Sequence, residues 1–222
     1  MIMKKDCYII SAITAILLNM AGCAGGSEAA GIGVGQNSDN SQNGYPCPFN
    51  IYISGGDVTA YGGDRGAGIG SGDGVSGCKV YISGGTVRAY AGTDGAGIGS
   101  GEVAEGTHGG RIEITGGFVE AWGKDGGAGI GAVEGAALGE LRITGGTVLA
   151  HGGDNNDANA ICTFNESGTN SLTIGNTMRL RIGDNILSYT ERAFDRLKTY
   201  PHIQIEPCPH SGNPCDWCMR GR

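Results

Sequence analysis

Apolar and polar residues alternate with a period of two in short blocks along this chain. In the stretch IYISGGDVTAYGG, which begins at Ile51, apolar residues occupy every second position on both sides of a Gly-Gly pair. Alternate side chains of a β-strand point to opposite faces. The stretch therefore predicts two short strands, each with one buried face, that meet at a corner at Gly55 and Gly56.

The same block recurs with nearly the same pattern. Its copies are VYISGGTVRAYAG from Val80, IEITGGFVEAWGK from Ile112 and LRITGGTVLAHGG from Leu141, at steps of 29, 32 and 29 residues. A weaker copy, LTIGNTMRLRIG, starts at Leu172, and AGIGVG at Ala30 is typical of the end of an earlier copy. A repeat of this length indicates a solenoid, in which each unit packs mainly against its neighbours.

A third strand is predicted in each repeat by a glycine-rich motif. GAGIGSG occurs twice and GAGIG once, at 66–72, 95–101 and 127–131. Glycine permits φ > 0 at sharp corners and close approach of backbones, so we expect Ile69, Ile98 and Ile130 to stack as an interior ladder. Three strands and three corners describe one coil of a parallel β-solenoid. About five coils, spaced by about 4.8 Å, would form a rod roughly 24 Å long.

Composition narrows the fold class further. Glycine fills 45 of 222 positions, and each glycine costs ~1 kcal/mol in a helix interior, which disfavours helical repeats. A β-propeller would need four longer strands per blade. We therefore predict an all-β fold, a parallel β-helix. The formal charge of −7 argues against nucleic acid as a partner, since that needs a basic footprint, and we expect no organic cofactor.

The repeat also resembles a known group of proteins. The units ITGGTVLAHGG and GAGIGSG are similar to the glycine-rich β-helix repeats of secreted and bacterial cell-surface proteins, often described as carbohydrate-binding-domain-like. The resemblance covers Ala30 to about Asn185. It implies a right-handed parallel β-helix at the cell surface and says little about the ligand.

Aligning the repeats places one aromatic side chain per coil at the same outward position. These residues directly follow a recurrent alanine: Tyr61, Tyr90, Trp122 and His151. A row of aromatic rings beside polar groups is typical of platforms for sugar rings. The alternative is that the row only stabilises the sheet, at ~0.2–1 kcal/mol per cross-strand pair. Tyr52 and Tyr81 add a shorter second row.

An aspartate recurs three or four residues after each of these aromatics, at Asp64, Asp94, Asp125 and Asp154. Stacked carboxylates repel one another, and calcium, which prefers oxygen ligands, would neutralise them. Aspartate beside glycine is typical of turns that need no metal, and no D-x-D-x-D cluster of calcium ligands appears in the sequence. Both interpretations, a calcium site and a row of turns, stay open.

Many β-helices of the kind implied by the resemblance are polysaccharide lyases or hydrolases, which need a carboxylate pair or a base beside calcium. Here Arg88, Glu113 and Glu120 are scattered over outward columns, and no unit departs from the repeat to build a cluster. We therefore predict a non-catalytic binding or adhesion module for polysaccharide. The alternatives are a passive surface spacer and a polysaccharide lyase or hydrolase.

The N-terminus has the pattern of an export signal. Two lysines precede an apolar run from Tyr8 to Met20 that is too short to span a bilayer. NMAGC, ending at Cys23, resembles the lipoprotein signal in which the cysteine is acylated, and ordinary signal-peptide cleavage is the alternative. We predict a signal peptide over 1–23 and a mature protein at the bacterial surface, lipid-anchored or secreted, that meets the membrane only through a lipid anchor.

The C-terminal part departs from the repeat. The repeat domain is predicted over 24–188 and a cap over 189–206, because TERAFDRLKTY at 190–200 has helical spacing and HIQIEPC after it alternates as a strand. The end of a solenoid exposes unpaired backbone groups and needs such a cover.

Cysteines suggest two further features. The tail over 207–222 contains Cys208, His210, Cys215 and Cys218. Three thiolates and an imidazole at this spacing would close a structural zinc site with no open position for chemistry; disulfides are the alternative in an exported chain. Cys47 and Cys78 shortly precede equivalent strands of adjacent coils and could pair.

Overall fold

The computed structural model describes residues 19–35, 47, 50–103, 108–133, 136–155, 159–162, 171–182, 185–186 and 200–209. These residues form strands and no helix: β1 (Asn19–Ala24), β2 (Ile32–Gly33), β3 (Asn50–Ile53), β4 (Asp57–Tyr61), β5 (Ile69–Gly70), β6 (Lys79–Ile82), β7 (Thr86–Tyr90), β8 (Ile98–Gly99), β9 (His108–Ile114), β10 (Phe118–Trp122), β11 (Ile130–Gly131), β12 (Ala137–Ile143), β13 (Thr147–His151), β14 (Ile161–Cys162), β15 (Ser171–Ile174), β16 (Met178–Ile182), β17 (Asn185–Ile186) and β18 (His202–Pro207). Within that part of the chain, no helical segment is long and apolar enough to cross a membrane.

Three successive strands make one coil of the solenoid. The complete coils are β3–β4–β5, β6–β7–β8, β9–β10–β11 and β12–β13–β14, with partial coils before and after them. Equivalent strands pair in parallel to form a first sheet (β3, β6, β9, β12, β15), a second sheet (β1, β4, β7, β10, β13) and a third sheet (β2, β5, β8, β11, β14). The protein is a right-handed parallel β-solenoid, as predicted. It has about four turns, whereas the sequence predicted about five coils.

The core consists of columns of apolar residues, one residue per coil. The third sheet carries the isoleucine ladder, in register from coil to coil and almost entirely buried: Ile32, Ile69, Ile98, Ile130 and Ile161. The expected ladder is thus confirmed and is longer by one residue at each end. Full burial of such a side chain stabilises the fold by about 1.5–3 kcal/mol, and the gain exists only when coils stack, because a single coil has nothing to pack against.

The glycine after four of these isoleucines is required by the backbone, whereas Cys162 follows Ile161. It adopts φ between 135° and 143° in four coils, at Gly33, Gly70, Gly99 and Gly131. A Cβ on Gly99 would lie 1.8 Å from the carbonyl oxygen of Gly131 in the next coil. Both the left-handed φ and the close approach exclude any other residue, which explains why the IG pair recurs unchanged.

The second sheet ends in a different way from the other two. β18 inserts antiparallel between β13 and β16, and β17 continues as the last strand of that sheet. Ile203 and Ile205 of β18 are buried, so the strand predicted from the alternation of HIQIEPC is confirmed. It covers the backbone edge of β13 and continues the core columns. The helix predicted at 190–200 lies outside the described residues, apart from Tyr200.

A disulfide connects the first two complete coils. Cys47, before β3, is bonded to Cys78, before β6, which confirms the pairing that the spacing suggested. Cys78 is completely buried. The crosslink closes a loop between residues 31 positions apart in sequence.

Candidate binding face

An aromatic column, formed by Tyr61, Tyr90, Trp122 and His151, runs along the outward face of the second sheet. The four strands that carry it pair in register, so that each ring stands opposite the ring of the next coil. Each ring follows a fully buried alanine and therefore points away from the core. The in-register row expected from the repeat is present, and its role as a binding site stays a prediction.

The rings of the column stack in pairs. Tyr61 and Tyr90 have centroids 5.0 Å apart and planes 12° apart. Trp122 and His151 are closer, with centroids 3.7 Å apart and planes inclined by 10°. Because the faces inside each pair cover one another, a ligand that approaches the column from the side meets ring edges, and an open ring face exists only where a stack ends.

The tyrosine end of the column is the more open one. Tyr61 is 48% exposed, one of two large apolar side chains with such exposure in the described part of the chain. On its outer side, β1 places Ala24 opposite Tyr61. A methyl group is too small to cover a phenol ring, so the ring face of Tyr61 that points away from Tyr90 is accessible.

The tryptophan end is closed by packing. The indole Nε1 of Trp122 and the Nε2 of His151 are buried and lack a hydrogen-bond partner among the described residues. The indole N–H is the group through which tryptophan would donate to a sugar hydroxyl, and here it is not exposed to one. This half of the column therefore serves packing more than recognition.

A second histidine extends the column by one strand. His202 of β18 stands opposite His151, with Nδ1 to Nδ1 at 2.9 Å. One imidazole must donate and the other accept, so at least one Nδ1 carries no proton. Burial lowers the pKa of His151 below its ordinary value, the neighbouring His202 lowers it further, and Glu120 acts in the opposite direction.

Sequence reasoning missed His202 because it lies outside every repeat and belongs to an antiparallel strand. The alternation of HIQIEP indicated a strand, but no feature of the sequence specified β13 as its neighbour.

Charged side chains lie beside the tyrosine end. Arg88 forms ion pairs with Asp57, at 3.2 Å, and with Glu120, at 3.6 Å. Burial raises the pKa of the Tyr90 hydroxyl above its ordinary value, with Glu120 and Tyr61 adding to the rise and Arg88 opposing it. The hydroxyl of Tyr90 is thus neutral at physiological pH and both donates and accepts hydrogen bonds.

The tyrosine row, Tyr52 and Tyr81, lies on the first sheet. Its rings also stack, with centroids 4.9 Å apart and planes 11° apart. Tyr52 is 56% exposed, and its hydroxyl accepts a hydrogen bond from the side chain of Asn50 at 3.1 Å. The row ends after two coils, because Glu113 and Arg142 occupy the following positions. The stacking of Tyr52 on Tyr81 is thus nearly the same as that of Tyr61 on Tyr90, but it lies on a different face of the solenoid.

The recurrent aspartates occupy turns after the second sheet. Asp94 and Asp125 have φ of 51° and 50°, a conformation that aspartate tolerates better than most residues. The carboxylate of Asp94 accepts a hydrogen bond from the backbone N–H of Gly126 in the next coil, at 3.2 Å. That contact is what the turn interpretation expects, and calcium binding remains a prediction.

The other predicted sites are only partly covered by the structure. Among the described residues, no group of three or more His, Cys, Asp or Glu side chains is arranged to hold a metal ion. Of the four proposed zinc ligands, Cys208 alone is described, with its backbone N–H bonded to the carbonyl of Thr177. His210, Cys215 and Cys218 lie outside that part, as does the side chain of Cys23 in β1.

The acidic and basic residues weighed as catalytic candidates neutralise one another. Arg88 pairs with Glu120, and Glu113 lies between Arg111 and Arg142, at 3.0 and 3.3 Å. Each of these carboxylates thus has an arginine partner. The absence of catalysis nevertheless stays a prediction.

Comparison with known proteins supports the fold. A family model described as a beta helix repeat matches residues 51–73, 80–102 and 112–135. These segments fall on the first three complete coils. No curated protein and no solved structure matches the chain. The matched repeats and the stacked coils together show that this chain has a parallel β-helix fold.

Proposed function

We propose that this protein is an exported, non-catalytic surface module that binds polysaccharide through the aromatic column. The observation that carries the proposal is the in-register row of outward rings with an exposed tyrosine at one end. Aromatic surface flanked by polar groups combines apolar contact with hydrogen bonds to hydroxyls. A rigid scaffold holds these groups in place, so little conformational entropy is lost on binding.

A passive surface spacer is the second candidate. The close stack of Trp122 on His151, and the bond from His151 to His202, favour it, since they use half of the column for internal packing. A spacer would show no change of melting temperature with any ligand, and adhesion would then depend on other parts of the surface.

The experiment that tests the proposal is binding to a panel of plant and host polysaccharides, with and without calcium. The comparison protein carries Tyr61→Ala, Tyr90→Ala and Trp122→Ala. Binding by the wild type that is lost in the variant, while both melt at the same temperature, supports the proposal. Equal binding by both proteins rules out the column as the site.

We also propose an anchor at Cys23 and a structural zinc in the tail. Acylation of Cys23 would anchor the protein in the membrane, and Cys23→Ser should move the protein from the membrane fraction to the soluble one. Zinc held by Cys208, His210, Cys215 and Cys218 should be detected at about one ion per chain by elemental analysis, and it should be lost in Cys215→Ser.

A further inference from the structure

Building on the proposed function, we infer that the ligand is an uncharged, hydroxyl-rich polysaccharide that stacks on the open ring face of Tyr61. Ring geometry and the pairing of charges among the described residues support this ligand and this end of the column.

The open face of Tyr61 defines the position. Tyr90 covers one side of the ring, at 5.0 Å between centroids, and the residue opposite the other side is Ala24. A sugar ring placed there would continue the existing stack with its C–H groups against the phenol. At the other end of the column, the indole of Trp122 is stacked against His151, and its Nε1 is buried.

The pairing of charges defines the ligand class. Every arginine in the described part of the chain already forms an ion pair with a carboxylate: Arg65, Arg88, Arg111, Arg142, Arg179 and Arg181. An anionic polymer binds by pairing its charges with Lys or Arg. The two lysines that the structure describes, Lys79 and Lys124, are exposed, and neither lies at the tyrosine end: Lys79 is on the first sheet and Lys124 follows Trp122. Arg88, the guanidinium closest in sequence to the tyrosines, is shared by Asp57 and Glu120, so a uronate or sulfate would have to displace them.

The net negative charge of the protein also favours an uncharged ligand. The chain carries a formal charge of −7, and Asp57 beside the column has a side chain that is 55% exposed. A polyanion is therefore repelled at long range. An uncharged polymer is not repelled in this way. Its hydroxyl groups can donate hydrogen bonds to the exposed carboxylate of Asp57, and they can donate to or accept from the phenol hydroxyls of Tyr61 and Tyr90.

Matched neutral and anionic polymers test the inference. The probes are hydroxyethyl cellulose against carboxymethyl cellulose, and fully methyl-esterified pectin against polygalacturonate, each incorporated in a native gel. We expect retardation by at least one neutral polymer and weaker or no retardation by its anionic counterpart. Affinity for the neutral polymer should change less than about twofold between about 0.05 and 0.5 M salt, because no ion pair is formed.

Substitutions locate the site. Tyr61→Ala should weaken binding about tenfold, Tyr61→Phe should retain most of it, and Tyr52→Ala, with the same ring geometry on the first sheet, should have no effect. Retardation by the anionic polymers alone, or loss of binding in Tyr52→Ala and not in Tyr61→Ala, would overturn the inference and leave polysaccharide binding in place. No retardation by any polymer would overturn the proposed function itself.

Discussion

At the residue scale, the fold depends on a few backbone positions that only glycine can occupy. Gly99 combines φ of 143° with a contact that leaves no room for a Cβ. Gly55, at the corner between the first and second sheets, has open space where a Cβ would be. Two glycines of adjacent coils thus have very different structural roles, although both belong to conspicuous Gly-rich motifs.

The first prediction follows from this contrast. Gly99→Ala should lower the free energy of unfolding by about 3 kcal/mol or more, since strain in φ alone costs about 1–3 kcal/mol and the clash with the carbonyl of Gly131 adds to it. Denaturant titration monitored by circular dichroism measures the change.

Gly55→Ala is the matched control, and it should change the free energy of unfolding by less than about 1 kcal/mol. Similar losses in the two variants would contradict the assignment of the IG glycine as the position that only glycine fits.

Alignment of the repeats could predict the position of the aromatic residues but not their exposure. The outward position of Tyr61 and its equivalents follows from alternation and period, so the sequence was sufficient to place the column. The unequal exposure of the rings was not predictable, because it depends on Ala24 at one end and on His202 at the other, and neither residue belongs to a complete coil.

At the element scale, β18 is the feature that departs most from the repeat. Its partners β13 and β16 lie far from it in sequence, and the pairing is antiparallel. The period of the repeat predicts contacts between neighbouring coils. It does not predict that a later strand folds back and inserts between β13 and β16. Glu206 of β18 forms ion pairs with Arg179 and Arg181 of β16, and His202 contacts His151 of β13 on the other side. Polar contacts therefore hold β18 on both sides, in addition to its buried isoleucines.

The histidine pair makes the contact between β13 and β18 sensitive to pH. The pKa of His151 is lowered in the folded state below its ordinary value of 6.5. As the pH falls below about 6.5, the unfolded chain therefore binds more protons than the folded one, and the free energy of unfolding decreases. Charged groups that face the pair include Glu120 of β10, which opposes the effect in part.

We expect the melting temperature to fall by a few degrees between about pH 7.5 and 5.5. His151→Gln should show a shallower dependence over the same range, because the titrating group is removed. An identical slope in the wild type and in His151→Gln would show that the pair does not control the response to acid.

The disulfide acts on the first two coils. Replacing both Cys47 and Cys78 by serine should lower the free energy of unfolding by about 3–4 kcal/mol, as expected for a crosslink that closes a loop of this length. A reducing agent should destabilise the wild type by a similar amount and leave the double variant unaffected. Equal stability of reduced and oxidised wild type would contradict a structural role for this bond.

At the scale of the whole molecule, the solenoid is a short rod in which each coil stabilises its neighbours. Repeat length, glycine content and alternation were sufficient to predict the three-strand coil and its parallel stacking, since all of these depend on local contacts between adjacent repeats. The number of complete coils was predicted less well, because the terminal copies lose the motif. The function stays a prediction, because the same aromatic row is packed at one end and exposed at the other.

The rod also separates two similar surfaces onto different faces. Tyr61 and Tyr90 lie on the second sheet, and Tyr52 and Tyr81 lie on the first, with almost equal stacking geometry. The charges that accompany them differ, since Arg88 and its two carboxylates stand beside the former pair. This arrangement gives the protein its own internal control for a binding experiment.

The most direct measurement compares two double variants for binding to a neutral polysaccharide by affinity electrophoresis. We expect the combination of Tyr61→Ala and Tyr90→Ala to abolish retardation, and the combination of Tyr52→Ala and Tyr81→Ala to migrate as the wild type does. Both variants should keep the wild-type melting temperature to within a few degrees. Undiminished retardation of the Tyr61 and Tyr90 variant would contradict the claim that the aromatic column of the second sheet is the binding site.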